Sequence, residues 1–246
     1  MFSLLNIKSY FSLSRNQLKW IAMLTMLIDH IGFLLLGNLG EESLLYLLFR
    51  IIGRISFPLF CFLLVQGFLS TRNEARYAGR LFVFALISEI PYNFFKYGKL
   101  FYLKDQNVLF TFSVSVLVLM LLKRIEFSDI PYYKLLRRLL VVICGVIVTY
   151  LLRADYALLG VLYTAVIYGC RRKMYEQFFW LGILMLMSNW LNPWQIFALP
   201  FLFFCKDKIL EKEQAGVERP AATWKYLFYM FYPVHMILLK IINIIL

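Results

Sequence analysis

The chain has little charge. Only 16% of its 246 residues are Asp, Glu, Lys or Arg, against roughly 25% in an ordinary soluble domain. With 62% hydrophobic residues and a mean hydropathy of +0.72, a soluble fold could not cover its own surface. Lipid is the solvent this composition calls for. Glycine (12) and proline (7) are sparse, and the apolar runs are long and continuous. That excludes a membrane barrel, whose strands alternate apolar and polar positions, and leaves helices. The four cysteines, Cys61, Cys144, Cys170 and Cys205, form no CxxC pair, so neither a disulfide framework nor a zinc motif is present. There are only two histidines, no HExxH and no glycine-rich phosphate loop, and no metal is expected. Repeats and low-complexity segments are missing as well.

What is there reads as an all-α, polytopic transmembrane bundle in the cell membrane, a single domain over residues 1–246. A span needs about 20 apolar residues. Nine are predicted, at 18–38, 43–70, 78–97, 107–123, 133–152, 155–170, 175–191, 193–205 and 224–245. The seventh and eighth are short and separated by Asn192-Pro193. The first lacks a small-residue cleavage site and carries Asp29 and His30, so it reads as a retained span rather than a signal peptide. The stretch 206–223, rich in charge with a glycine and a proline, reads as a cytoplasmic loop.

Charge tests this arrangement. With the N-terminus in the cytoplasm and strict alternation, 19 of the 26 basic residues fall inside and 7 outside, as the positive-inside rule requires. The same distribution accounts for most of the +12 net charge without nucleic acid, which is not expected as a partner.

Ionisable groups inside spans are expensive and mark function unless paired. Asp29 and His30 lie past the middle of the first span, and an imidazole there can accept and return a proton near neutral pH. His235 follows Tyr232-Pro233 in the last span, where proline is expected to break the helix. Arg50 and Arg54 share one helix face and suit a phosphate or carboxylate, or they neutralise Asp29 or Glu89. Arg72, Arg76 and Arg80 form a basic stripe that suits a polyphosphate or lipid headgroups. Glu89 precedes Pro91, a second expected break. Asn107 and Thr111 share a face at the start of the fourth span, and Arg153, Asp155 and Tyr156 lie together at a turn. The outer-half positions of His30, Arg54, Glu89 and Asp155 predict one shared cavity. Two classes of function fit: an acid–base enzyme in the membrane, or a carrier with a proton relay, for which broken helices are apt.

The segments LKWIAMLTMLIDHIG, GRISFPLFCFLLVQGFLSTRNEARYAGRLFVFALISEIPYN, NVLFT, ADYALLGVLY and KYLFYMFYPVH occur in this order. Together they resemble the TraX family, named for an enzyme that acetylates the N-terminus of a conjugative pilin in bacteria. They are also distantly similar to larger membrane acyltransferases that use acetyl-coenzyme A, in which an intramembrane histidine is catalytic. The resemblance implies a bacterial inner-membrane acetyltransferase with acetyl-CoA as co-substrate and an acceptor it does not identify; a homodimer is allowed. It departs from the family's pattern at Gln66, where an acidic residue is expected. On this reading His30 is the base, Asp29 orients or charges it, Arg54 or Asn107 stabilises an oxyanion, and His235 is a second proton carrier or an acceptor-binding group; direct transfer and a route through acetyl-histidine both fit.

Overall fold

The computed structural model describes residues 13–40, 42–127, 133–188, 193–205 and 222–246. These residues are overwhelmingly helical, and the extended pairings among them are two isolated bridges, Leu13 with Cys205 and Gln106 with Ala154. In chain order the helices are α1 (Arg15–Leu35), α2 (Leu44–Arg54), α3 (Ser56–Ser70), α4 (Glu74–Tyr97), α5 (Val108–Glu126), α6 (Lys134–Leu151), α7 (Ala157–Gly169), α8 (Met174–Met187), α9 (Leu199–Phe204) and α10 (Ala222–Ile245).

Four helical stretches among the described residues are long and apolar enough to cross a bilayer: Arg15–Leu35, Leu44–Ser70, Val108–Glu126 and Phe228–Ile245. The other expected crossings fall short in one of two ways. Helices α4 and α6 are long enough, at 24 and 18 residues, but charged side chains dilute them. The stretches Ala157–Gly169, Met174–Met187 and Trp194–Phe204 are apolar but short. Of the nine crossings expected, four therefore meet both requirements. The expected loop at 206–223 lies outside the described residues up to position 221, and positions 222 and 223 already belong to α10. Asn192 also lies outside them, whereas Pro193 opens a 3-10 turn, Pro193–Ala198.

Contacts group the chain into two compact units: Met1–Leu63 with Cys170–Pro220, and Leu64–Gly169 with Ala221–Leu246. The first unit starts at α1. Its capping box has the Ser14 hydroxyl accepting from the Gln17 N–H (3.2 Å) and the Gln17 side chain accepting from the Ser14 N–H (2.8 Å), a start signal worth about 1 kcal/mol. Helix α2 packs on α1 and comes close because glycines face it: a Cβ on Gly32 would stand 2.7 Å from the Phe49 Cβ. The predicted continuous span 43–70 is two helices, interrupted at Ile55. Pro58 explains the break, since a proline ring clashes with the carbonyl four residues back and offers that carbonyl no N–H. The carbonyl in question is that of Arg54, where α2 stops. Helices α8 and α9 flank the 3-10 turn, and the Leu13 N–H donates to the Phe204 carbonyl (2.7 Å).

The second unit is built around α5, which packs on α4, α6 and α7, while α10 packs on α4. Asn73 caps α4 by accepting from the Arg76 N–H (2.8 Å), and Gly98 ends it in the left-handed region at φ 65°, the usual glycine terminator. Phe84 stacks on Tyr229 between α4 and α10 (4.9 Å). The prolines behave differently from expectation. Both α4 and α10 run on through Pro91 and Pro233 without interruption. A single proline removes one helical hydrogen bond, and neighbouring helices in a bundle tolerate that loss. Leu86, Ile87, Ile90, Leu139, Ile143 and Ile147 are each about half exposed, as suits surfaces that meet lipid.

Candidate functional site

In the first unit the polar centre is Asp29. Arg50 Nη1 stands 2.8 Å from Asp29 Oδ2 and also reaches the Asp29 carbonyl at 3.4 Å. Both side chains are less than one-fifth exposed. Arg54 acts on the same carboxylate electrostatically, being one turn along α2 from Arg50. The Arg50 guanidinium also lies 5.6 Å from the centre of the Phe33 ring. Gly53 makes the arrangement fit. A Cβ there would collide with the Asp29 side chain, standing 2.6 Å from its Cγ. The other carboxylate oxygen, Oδ1, is buried and has no hydrogen-bond partner among the described residues.

His30 follows Asp29 and is half-buried. Adjacent helix residues point about 100° apart, and the hydrogen bonds of Asp29 go to Arg50. Asp29 thus makes its polar contacts with α2, and His30 is its neighbour in sequence on α1. Of the two roles open to Arg50, the structure places it as the counter-ion of Asp29.

In the second unit Glu89 is clamped by two asparagines. Asn107 donates from Nδ2 to Glu89 Oε2 (2.6 Å) and to the Ala85 carbonyl (2.8 Å), and its N–H reaches Oε2 at 3.3 Å. Its Oδ1 caps α5 by accepting from the Leu109 N–H (3.1 Å). Both amide hydrogens of Asn107 are thus committed, and an oxyanion has no donor to take from it. Asn93 donates to Glu89 Oε1 (3.2 Å).

Beside this clamp the turn 153–156 is held in a costly shape. Arg153 and Tyr156 have φ of 53° and 54°, a region that non-glycine residues rarely occupy. Three hydrogen bonds tie the turn down: Gln106 N–H to the Arg153 carbonyl (3.0 Å), Asp155 N–H to the Gln106 carbonyl (2.9 Å), and Thr111 Oγ1 to the Asp155 carbonyl (2.7 Å). Asp155 is within electrostatic reach of Tyr92, Lys96 and Tyr232. Lys96 Nζ donates to the Tyr92 hydroxyl (2.9 Å) and stands 3.5 Å from Asp105 Oδ2, which Tyr97 also meets.

The sequence reading passed over Tyr92, Asn93, Lys96 and Asp105. Helix spacing could have found three of them, since Glu89 with Asn93 and Tyr92 with Lys96 are four apart. His235 is 4% exposed; its Nδ1 lies 2.6 Å from the Phe231 carbonyl and its ring stacks on Phe231. Its Nδ1 is thus committed to the backbone of its own helix. Arg72 and Arg76 are exposed, and the Arg80 guanidinium lies 5.8 Å from the centre of the Tyr77 ring. Of the four residues expected to share a cavity, His30 and Arg54 belong to the first unit and Glu89 and Asp155 to the second. Among the described residues no three His, Cys, Asp or Glu side chains gather as a metal-holding group.

The family model described as TraX protein matches residues 14–243, a range that takes in every one of these groups. The chain belongs to the TraX family. A relative in that same mould is a probable fimbrial assembly protein, FimC of serogroup H1, from Dichelobacter nodosus. It is 32% identical over 252 residues, covering 92% of this chain and 94% of its own. No solved structure matches. As a TraX protein, the chain has its Asp29-His30 pair, Arg54, Glu89 and His235 within the matched range.

Proposed function

We propose that this TraX protein is a multi-pass enzyme of the cell membrane, with nine crossings and a cytoplasmic N-terminus, that transfers acetyl from acetyl-CoA to an amine or hydroxyl. A pilin-type peptide is the acceptor favoured by the relative named as a fimbrial assembly protein; a glycan or small molecule is the other class. The observation that carries the reading is the Asp29–Arg50 pair inside apolar helices, with Oδ1 unpartnered and Gly53 making room for it. Burying a carboxylate there is costly, and the same helix turn presents a half-buried imidazole.

In the reaction, His30 takes a proton from the acceptor N–H or O–H as that atom attacks the thioester carbonyl. The Arg54 guanidinium meets the oxyanion, in the way preorganised donors lower such barriers. Collapse expels the coenzyme A thiolate, which takes the proton back from the imidazolium.

A general base contributes about 10²- to 10⁴-fold in rate. Purified His30→Gln, folded by circular dichroism, should therefore lose acetyl transfer from radiolabelled acetyl-CoA by at least about a hundredfold. Full activity in that folded variant would end the assignment. The carrier reading loses one of its supports, since the helices carrying Pro91 and Pro233 are continuous.

A further inference from the structure

Within the second unit, α5 and α6 are neighbours that nearly touch at one point. A Cβ on Gly145 would collide with the Val118 side chain. One to two turns from that crossing the helices part. They leave a groove of about 360 Å³ lined by Leu121, Arg124, Ile125, Arg137, Leu140 and Val141. Two guanidiniums, one from each helix, thus share a groove whose remaining walls are aliphatic. Leu121 and Leu140 are 44% and 50% exposed, so the apolar walls open outward.

Depth identifies the occupant. Helix α5 has the length and apolarity of a membrane span, at 19 residues, or about 28 Å at the rise of an α-helix. That matches a hydrocarbon core of about 30 Å, so its last turn, with Lys123 and Arg124, sits at headgroup level. Lys134, Arg137 and Arg138 at the start of α6 add to the same end of the pair. A ligand that fits must carry an anion at one end and hydrocarbon along its length.

The geometry points to a binding site for an anionic phospholipid. The phosphate lies between Arg124 and Arg137, which bind it as guanidiniums bind phosphate elsewhere, and an acyl chain runs along Leu121, Leu140 and Val141. This site stands independently of acyl transfer, since neither arginine belongs to the proposed reaction centre.

The test is native mass spectrometry of the full-length delipidated protein, titrated with phosphatidylglycerol, phosphatidylcholine, inorganic phosphate or acetyl-CoA. Wild type should retain phosphatidylglycerol in preference to phosphatidylcholine. The R124Q/R137Q double variant should bind it about thirtyfold more weakly, from the usual attraction of two basic side chains to an anionic leaflet. Leu140→Trp, which fills the groove and keeps both charges, should lose binding as well. Unchanged phosphatidylglycerol affinity in either variant would overturn the proposal. Displacement of the lipid by inorganic phosphate or acetyl-CoA at equal concentration would also overturn it, assigning the groove to a free phosphate.

Discussion

At the scale of single residues, the first unit turns on one missing methyl. Gly53→Ala would push a Cβ into the Asp29 side chain, and overpacking of this kind typically costs about 1–3 kcal/mol. Gly79 is the control: a Cβ there meets nothing within 4 Å, and Gly79→Ala should leave stability unchanged or raise it slightly. Thermal unfolding in detergent distinguishes the two, and equal melting points for both variants would contradict the close fit at Gly53. The pairing of Asp29 with an arginine was legible in the sequence, because a charge inside a span needs a partner and Arg50 and Arg54 were the available cations on one face. The role of Gly53 was not legible, because it depends on which turn of α2 meets α1. Neither was the loss of Asn107 as a free donor, although a polar residue at the head of an apolar helix is a familiar cap.

At the scale of elements, Asn107 joins α4 to α5. Asn107→Ala removes the cap of α5, worth about 0.5–2 kcal/mol, and deprives Glu89 of its shortest hydrogen bond, so the total should reach about 2–4 kcal/mol. Asn73→Ala removes a cap from α4 alone and should cost about 1 kcal/mol. Equal losses in chemical unfolding would mean that Asn107 does no more than cap. Most of the helices were readable, because apolar length is a strong signal. The break at Ile55 was missed, because Pro58 acts backward on Arg54. The breaks expected at Pro91 and Pro233 failed for the complementary reason: one lost hydrogen bond is too little to end a helix whose flanks are packed.

At the scale of the whole molecule, orientation follows from charge rather than from packing. Exposed Lys104 and Arg72 lie in loops assigned to opposite sides of the membrane. In a cysteine-free background, an impermeant maleimide should label Lys104→Cys and spare Arg72→Cys in right-side-out vesicles. The reverse pattern would invert the topology. The grouping of the chain into two units was invisible in the sequence, since both are discontinuous and no linker marks their edges. That discontinuity reaches back to the ribosome. The Leu13–Phe204 hydrogen bond closes the first unit, so its opening segment must wait for more than half the protein to be translated. At about 5–20 residues per second, the delay is roughly 10–40 s. Throughout it, the nascent Asp29 has Arg50 close behind it in the chain, and the insertion machinery need shelter that carboxylate only until Arg50 emerges.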